Sequence, residues 1–256
     1  LMPEAASYIL YEHPLNEQIR TYLRLENLFN IQQELQSMDS VAAHIAALHN
    51  LWEILDCLDR GDLKAELLKE LEQQKNHFKQ LEASPYIDDV KLKRFLEQLQ
   101  QLYLWVANYQ GKFGATLRQD RFIDLIKHRI RIPGASCSFD LPELHQFLQQ
   151  PVAYRQQKFD DWFEHFDGLN KCLKVLLRLY RENGQFVDVE TNNGAYQHNF
   201  DKKQNPHLIR VKLPIATSVY PEISGSKYCF TIRFIQPGDR DQKVLSDDTR
   251  FQMAIC

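Results

Sequence analysis

Arginine placed within an apolar stripe is the feature of this 256-residue sequence that most directly suggests chemistry. If residues 116–129 form one helix, a step of 100° per residue puts Leu117, Phe122, Leu125 and Ile126 on one half of the wheel. Arg118, Arg121 and Arg129 fall in that same half, while Asp120, Asp124 and Lys127 take the other. A guanidinium is rarely buried without a partner. Two readings stay open: the arginines lie along the edges of a narrow stripe with their stems on apolar neighbours, or they project into a pocket that receives a carboxylate or a peptide. Arg20 and Arg24 stand one turn apart on an earlier helix and share a face. Like charges at that spacing repel by about 0.2–0.5 kcal/mol, which a shared anionic partner would relieve. Glu17 and Glu26 are the alternative, as partners on the same helix. His145 sits beside Leu144 and Leu148 on a third helix, whose start is marked by Pro142 and by Asp140 and Glu143 in a pattern resembling a capping box.

Other chemistries find less support. Gly134-Ala-Ser-Cys-Ser138 half resembles a nucleophile elbow, with His145 downstream, but the closing glycine is missing. A hydrolase using Cys137 or Ser136 with His145 is therefore an alternative, and a buried or incidental cysteine is the plainer reading. His44 and His49 are five apart, roughly 140° around a helix, which is poor geometry for a metal pair. The five cysteines, Cys57, Cys137, Cys172, Cys229 and Cys256, form no C-x-x-C pair and fit neither a zinc site nor a disulfide framework. No Gly-rich phosphate loop is present, so neither metal nor cofactor is expected. The basic run 118–131 leaves a nucleic-acid-binding module as a second alternative. The net charge of −3 and the lack of a stacking-aromatic motif count against it.

These side chains need elements to hold them. An apolar fraction of 44%, a charged fraction of 25% and only nine glycines and ten prolines describe a globular chain without long linkers. No apolar run approaches the roughly 18 residues of a membrane span, and the opening residues show no secretory signal. The pattern is helical up to about residue 184 and alternating afterwards. Residues 6–12 read as a short strand that His13-Pro14 interrupts, with Pro14 in the first turn of a helix running to about Gln36. Further helices are expected from Asp39 or Ser40 to Arg60, and from Asp62 to about Glu82. After a turn at Ser84-Pro85, the next runs from about Asp88 to Asn108, and shorter ones cover 115–129, 140–149, 152–166 and 168–183. Strands are expected at 185–191, 194–200, 207–214, 227–236 and 249–255, with a hairpin turn at Asn192-Asn-Gly194. The fold class is α+β: a predominantly helical domain, 14–183, packed with an antiparallel β-sheet module made of 6–12 plus 184–256.

Six segments, in order along the chain, carry a resemblance: Glu12-His-Pro-Leu-Asn-Glu17, Arg20-Thr-Tyr-Leu-Arg24, Leu67-Leu-Lys-Glu-Leu71, Ile132-Pro-Gly134, Cys137-Ser-Phe-Asp-Leu-Pro142 and Tyr220-Pro-Glu-Ile-Ser-Gly225. Together they resemble the bacterial ZapD family of Z-ring-associated division proteins over essentially the whole length. The resemblance implies a non-enzymatic, cytoplasmic protein that works as a homodimer at the mid-cell division site. It also implies binding to the C-terminal tail of the tubulin-like protein FtsZ, and cross-linking and bundling of FtsZ filaments to stabilise the Z-ring. The positions matching the family's tail-binding basic surface are Arg24, Arg121 and His145. Arg20 and Arg118 join them from spacing alone. Neither nucleic acid nor membrane insertion belongs to that expectation.

Overall fold

The computed structural model describes residues 8–81, 88–129, 132–134, 136–201, 204–238 and 243–256. Two compact units divide the chain: Leu1–Leu23 with Leu177–Cys256, and Arg24–Leu176. The fold is α+β, with nine helices and eight strands among the described residues.

The first unit is a β-sandwich. Its strands are β1 (Tyr8–Pro14), β2 (Val187–Glu190), β3 (Ala195–Asn199), β4 (Leu208–Pro214), β5 (Tyr220–Gly225), β6 (Cys229–Gln236), β7 (Lys243–Val244) and β8 (Arg250–Ile255). All pairings are antiparallel. One sheet has the order β1-β4-β8-β2; the other has β3-β6-β5, with β7 also pairing β6. Alternation over most of each strand makes this arrangement: β4 buries Ile209, Val211 and Leu213, β6 buries Phe230, Ile232 and Phe234, and β8 adds Phe251 and Met253 to the same apolar cluster. The antiparallel β-sheet module is thus two sheets whose inward faces share one apolar cluster.

Three local expectations need correction. The strand does not end before His13-Pro14: it runs through Pro14, which pairs with Leu208. Proline is tolerated there because β1 is an edge strand and its missing N–H leaves no ladder bond unmade. The following helix, α1 (Glu17–Ser37), starts instead at Asn16, whose Oδ1 accepts from the Ile19 N–H at 2.8 Å. The turn at Asn192–Gly194 forms as expected, with φ of 53° at Asn193 and 74° at Gly194, and Asn192 and Ala195 exchange both backbone hydrogen bonds across it, at 2.8 and 3.2 Å, but the pairing stops at that one bridge. β2 enters one sheet and β3 the other, so the turn carries the chain between sheets. A Cβ on Gly194 would lie 2.2 Å from the Leu245 carbonyl oxygen, so only glycine fits. Lastly, Tyr220–Gly225 is a strand, β5, although its proline and glycine hide the signal.

Glu12 binds this unit together. Its carboxylate accepts from Arg181 Nε at 2.9 Å and Nη2 at 2.7 Å, and from Arg210 Nε at 3.0 Å. One motif residue of β1 thereby holds β4 and the last turn of α9 (Asp167–Asn183).

The second unit is helical: most of α1, then α2 (Val41–Leu58), α3 (Leu63–Gln80), α4 (Asp89–Asn108), α5 (Ala115–Arg118), α6 (Arg121–Arg129), α7 (Pro142–Leu148), α8 (Val152–Glu164) and the start of α9. Ser40, Asp62 and Asp88 cap α2, α3 and α4 with side-chain oxygens. α3 and α4 pack through an edge-on contact of Phe78 and Phe95, ring centroids 4.9 Å apart. The turn at Ser84-Pro85 lies outside the described residues. α2 is buried through most of its length and includes His44. Arg155 of α8 reaches His44 Nδ1 at 2.6 Å and also donates to the Gln150 carbonyl at 3.1 Å. Burial first, and the Arg155 charge second, hold the His44 pKa below its ordinary value.

Candidate functional site

The segment read as one helix over 115–129 is two. α5 ends at Arg118, and Asp120 caps α6 by accepting from the N–H groups of Phe122 at 2.8 Å and Ile123 at 3.0 Å. An Asx cap competes well with continued helix, and here it resets the helical phase. The arginine anomaly dissolves with the break. α6 buries Ile123 and Ile126, while Arg121 and Arg129 are exposed at its two ends. Phe122 anchors the same helix by stacking on Trp162 (5.8 Å, 17°) and tilting against Phe147 (5.3 Å). Lys127 lies over the Trp52 ring at 4.9 Å.

The expected site residues divide by environment. Arg118 turns inward. Its guanidinium donates to the carbonyl of Phe113 at 3.1 Å and to that of Leu55 in the last turn of α2, and it pairs with Asp59 at 3.0 Å. Arg121 stays 78% exposed and pairs with Glu143 of α7. The expected capping box at the start of α7 does not form. The N-cap position is Leu141, without a side-chain cap, and Glu143 faces α6 instead. His145 is exposed on α7, two residues beyond Glu143. Arg24 is exposed on α1 and borders a cleft of about 360 Å³ shared with Glu53, Asp56, Cys57 and Arg60 of the α2 end. Arg20 belongs to the β-sandwich unit, where its Nε meets Glu17 at 3.1 Å. Within the helical unit, then, Arg121 and the α7 turn carrying His145 are brought together. Arg24 and Arg118 both address the end of α2, one at a cleft and one as an internal brace.

Sequence reasoning passed over the loop between α6 and α7 as a binding element. Ile132 is 47% exposed and Phe139 81%, and Ile132, Pro133 and Gly134 help wall an apolar cleft of about 290 Å³ with α2, α6 and α7. The usable signal was Phe139 in a polar turn, since aromatic residues are enriched at protein contacts.

The nucleophile alternative finds no constellation. Among the described residues no hydrogen bond joins His145 to Ser136 or Cys137, and the Cys137 amide and carbonyl are occupied by the turn itself. Burial pushes the Cys172 thiol up to about 12, so that cysteine stays protonated. Among the described residues no helix is long and apolar enough to cross a membrane.

Fold and site define a two-unit α+β protein: a β-sandwich and a helical unit whose α6–α7 surface sets exposed arginine and histidine beside apolar side chains. The sequence model of ZapD, described as a cell division protein, matches residues 23–233. Among relatives named cell division protein ZapD, that of Klebsiella pneumoniae (strain 342) is 37% identical over 253 residues, covering 97% of this chain and 98% of its own. That of Pectobacterium carotovorum subsp. carotovorum (strain PC1) is 36% identical over 257 residues and that of Serratia proteamaculans (strain 568) 34% over 255, each covering both chains completely. The chain belongs to the ZapD family of cell division proteins.

Proposed function

We propose that this chain binds the C-terminal tail of FtsZ and, as a homodimer in the cytoplasm at mid-cell, cross-links FtsZ filaments into bundles that stabilise the Z-ring, without catalysing a reaction. The observation that carries this reading is Arg121, exposed at the head of a well-anchored helix and paired, among the described residues, with Glu143 alone, with His145 two residues further on the same α7. An exposed ion pair contributes about 0–1 kcal/mol, so a carboxylate of the tail can displace Glu143 at little cost. Arg24 and His145 are further candidate contacts, in keeping with the family resemblance. Arg20 is a further candidate contact through its i,i+4 relation to Arg24. The inward bonds of Arg118 favour a bracing part for it instead. Two tail sites per dimer let weak single contacts add by avidity, which is what bundling needs.

Co-sedimentation with GTP-polymerised FtsZ tests this, using the wild-type chain beside Arg24→Glu/Arg121→Glu. Wild type in the pellet with bundles, and the folded variant in the supernatant, is the expected result. Equal pelleting would keep the function and reject the site. Absence of wild type from the pellet would reject the function.

A further inference from the structure

The cleft of about 290 Å³ is roofed by the Ile132-Pro133-Gly134 turn and walled by Ile45 and Leu48 of α2, Ile126 of α6, and Leu141 and Leu144 beside and on α7. Leu48, Ile126, Leu141 and Leu144 are at most 3% exposed, so the walls are preformed by the core rather than by mobile surface groups. The volume is at the small end for a ligand pocket and suits one large side chain rather than a cofactor. Its mouth carries charge: Arg129 borders it, is exposed, and has no ion pair among the described residues. Among the described residues the other ionisable group lining the cleft is His49, whose pKa burial lowers. Arg129 also closes the C-terminal end of α6, where the helix dipole favours a cation.

From this geometry we propose that the cleft seats one bulky apolar side chain of an acidic peptide segment, with Arg129 pairing a carboxylate next to that side chain. The inference rests on the tail-binding reading and gives it a second anchor. Arg121 and Arg129 are eight residues apart on α6, about 12 Å along the axis. An extended peptide covers that distance in roughly four residues. The preferred segment therefore has an acidic residue at Arg121 and, about four residues away, a branched or aromatic residue flanked by a second acid. Apolar burial supplies grip and the two arginines set direction, the usual division of roles in a peptide groove.

The test uses the full chain with labelled isoleucine and leucine methyl groups and a synthetic FtsZ C-terminal peptide as probe. The Ile45 and Leu144 methyl signals should shift on titration. Replacing the peptide's apolar residues by alanine one at a time should identify one whose loss removes those shifts while the response around Arg121 remains. Arg129→Glu, on the surface, and Ser136→Trp, which fills the mouth, should each weaken binding by about tenfold or more with an unchanged thermal midpoint. If the peptide binds and Arg121→Glu abolishes binding, yet the two methyls stay silent and both variants bind as wild type, the pocket proposal falls and tail binding stands. If the wild-type chain does not bind the peptide, both fall. If the methyls shift with protein concentration alone, the cleft receives a second copy of this chain and the proposal is overturned.

Discussion

At Arg118 the guanidinium reaches two carbonyls and one carboxylate of its own unit, whereas three residues later Arg121 meets, among the described residues, one half-exposed carboxylate, that of Glu143. Arg118→Ala should therefore destabilise the fold by about 1–3 kcal/mol, because the Leu55 carbonyl at the end of α2 loses its donor. Arg121→Ala should stay within about 0.5 kcal/mol. Thermal unfolding of the two variants side by side checks this, and equal midpoints would reject the bracing role. His44 makes a second prediction. Its folded pKa is lowered, by burial and then by Arg155, below the unfolded value of about 6.5. In the window between the two values the unfolded chain binds the extra proton. The stability contribution is therefore complete above about pH 6.5 and is lost as pH falls toward the folded pKa. Denaturant midpoints measured across that range should drop with falling pH, and His44→Gln should flatten the drop. His13 and His49, also lowered by burial, add in the same direction.

At the scale of elements, the break between α5 and α6 decides where the arginines point. Had residues 115–129 continued as one helix, Arg118 and Arg121 would share one wheel. The Asp120 cap restarts the phase and separates an inward arginine from an outward one. Asp120→Ala should cost about 1 kcal/mol, while Asp120→Asn, which retains a capping oxygen, should cost far less. In the tail-binding reading the alanine variant also weakens tail affinity, since it loosens the helix that presents Arg121. Calorimetry and a peptide titration on the same samples would show both losses. A cap without effect on either would mean that Phe122, stacked on Trp162, fixes α6 by itself.

For the whole molecule, a net charge of −3 coexists with exposed cations on one helix. Attraction to an acidic filament tail is then local and easily screened: the Debye length falls from about 10 Å at 0.1 M salt to about 3 Å at 1 M. Bundling followed by light scattering should decline steadily as salt rises from about 0.05 to 0.5 M. A flat response would mean that apolar contacts alone hold the filaments, and the ionic account would fail.

Much of this protein is set by local sequence. Periodicity and capping residues mark the long helices, because Ser40, Asp62 and Asp88 satisfy N–H groups within their own turn. Alternation marks β4, β6 and β8, because a strand with one buried face must alternate. The ordered motifs of β1, α1, the 132–142 segment and β5 are enough to point to the family. Only the tertiary structure decides the rest. That the strands form two sheets, and that Asn192–Gly194 joins them, depends on pairings between residues far apart in the chain. Whether an arginine is a brace or a contact depends on which carbonyl or carboxylate the fold brings within 3 Å. Arg118 finds Leu55 and Asp59, Arg121 finds Glu143, and Arg129 finds an apolar cleft and no counter-charge among the described residues.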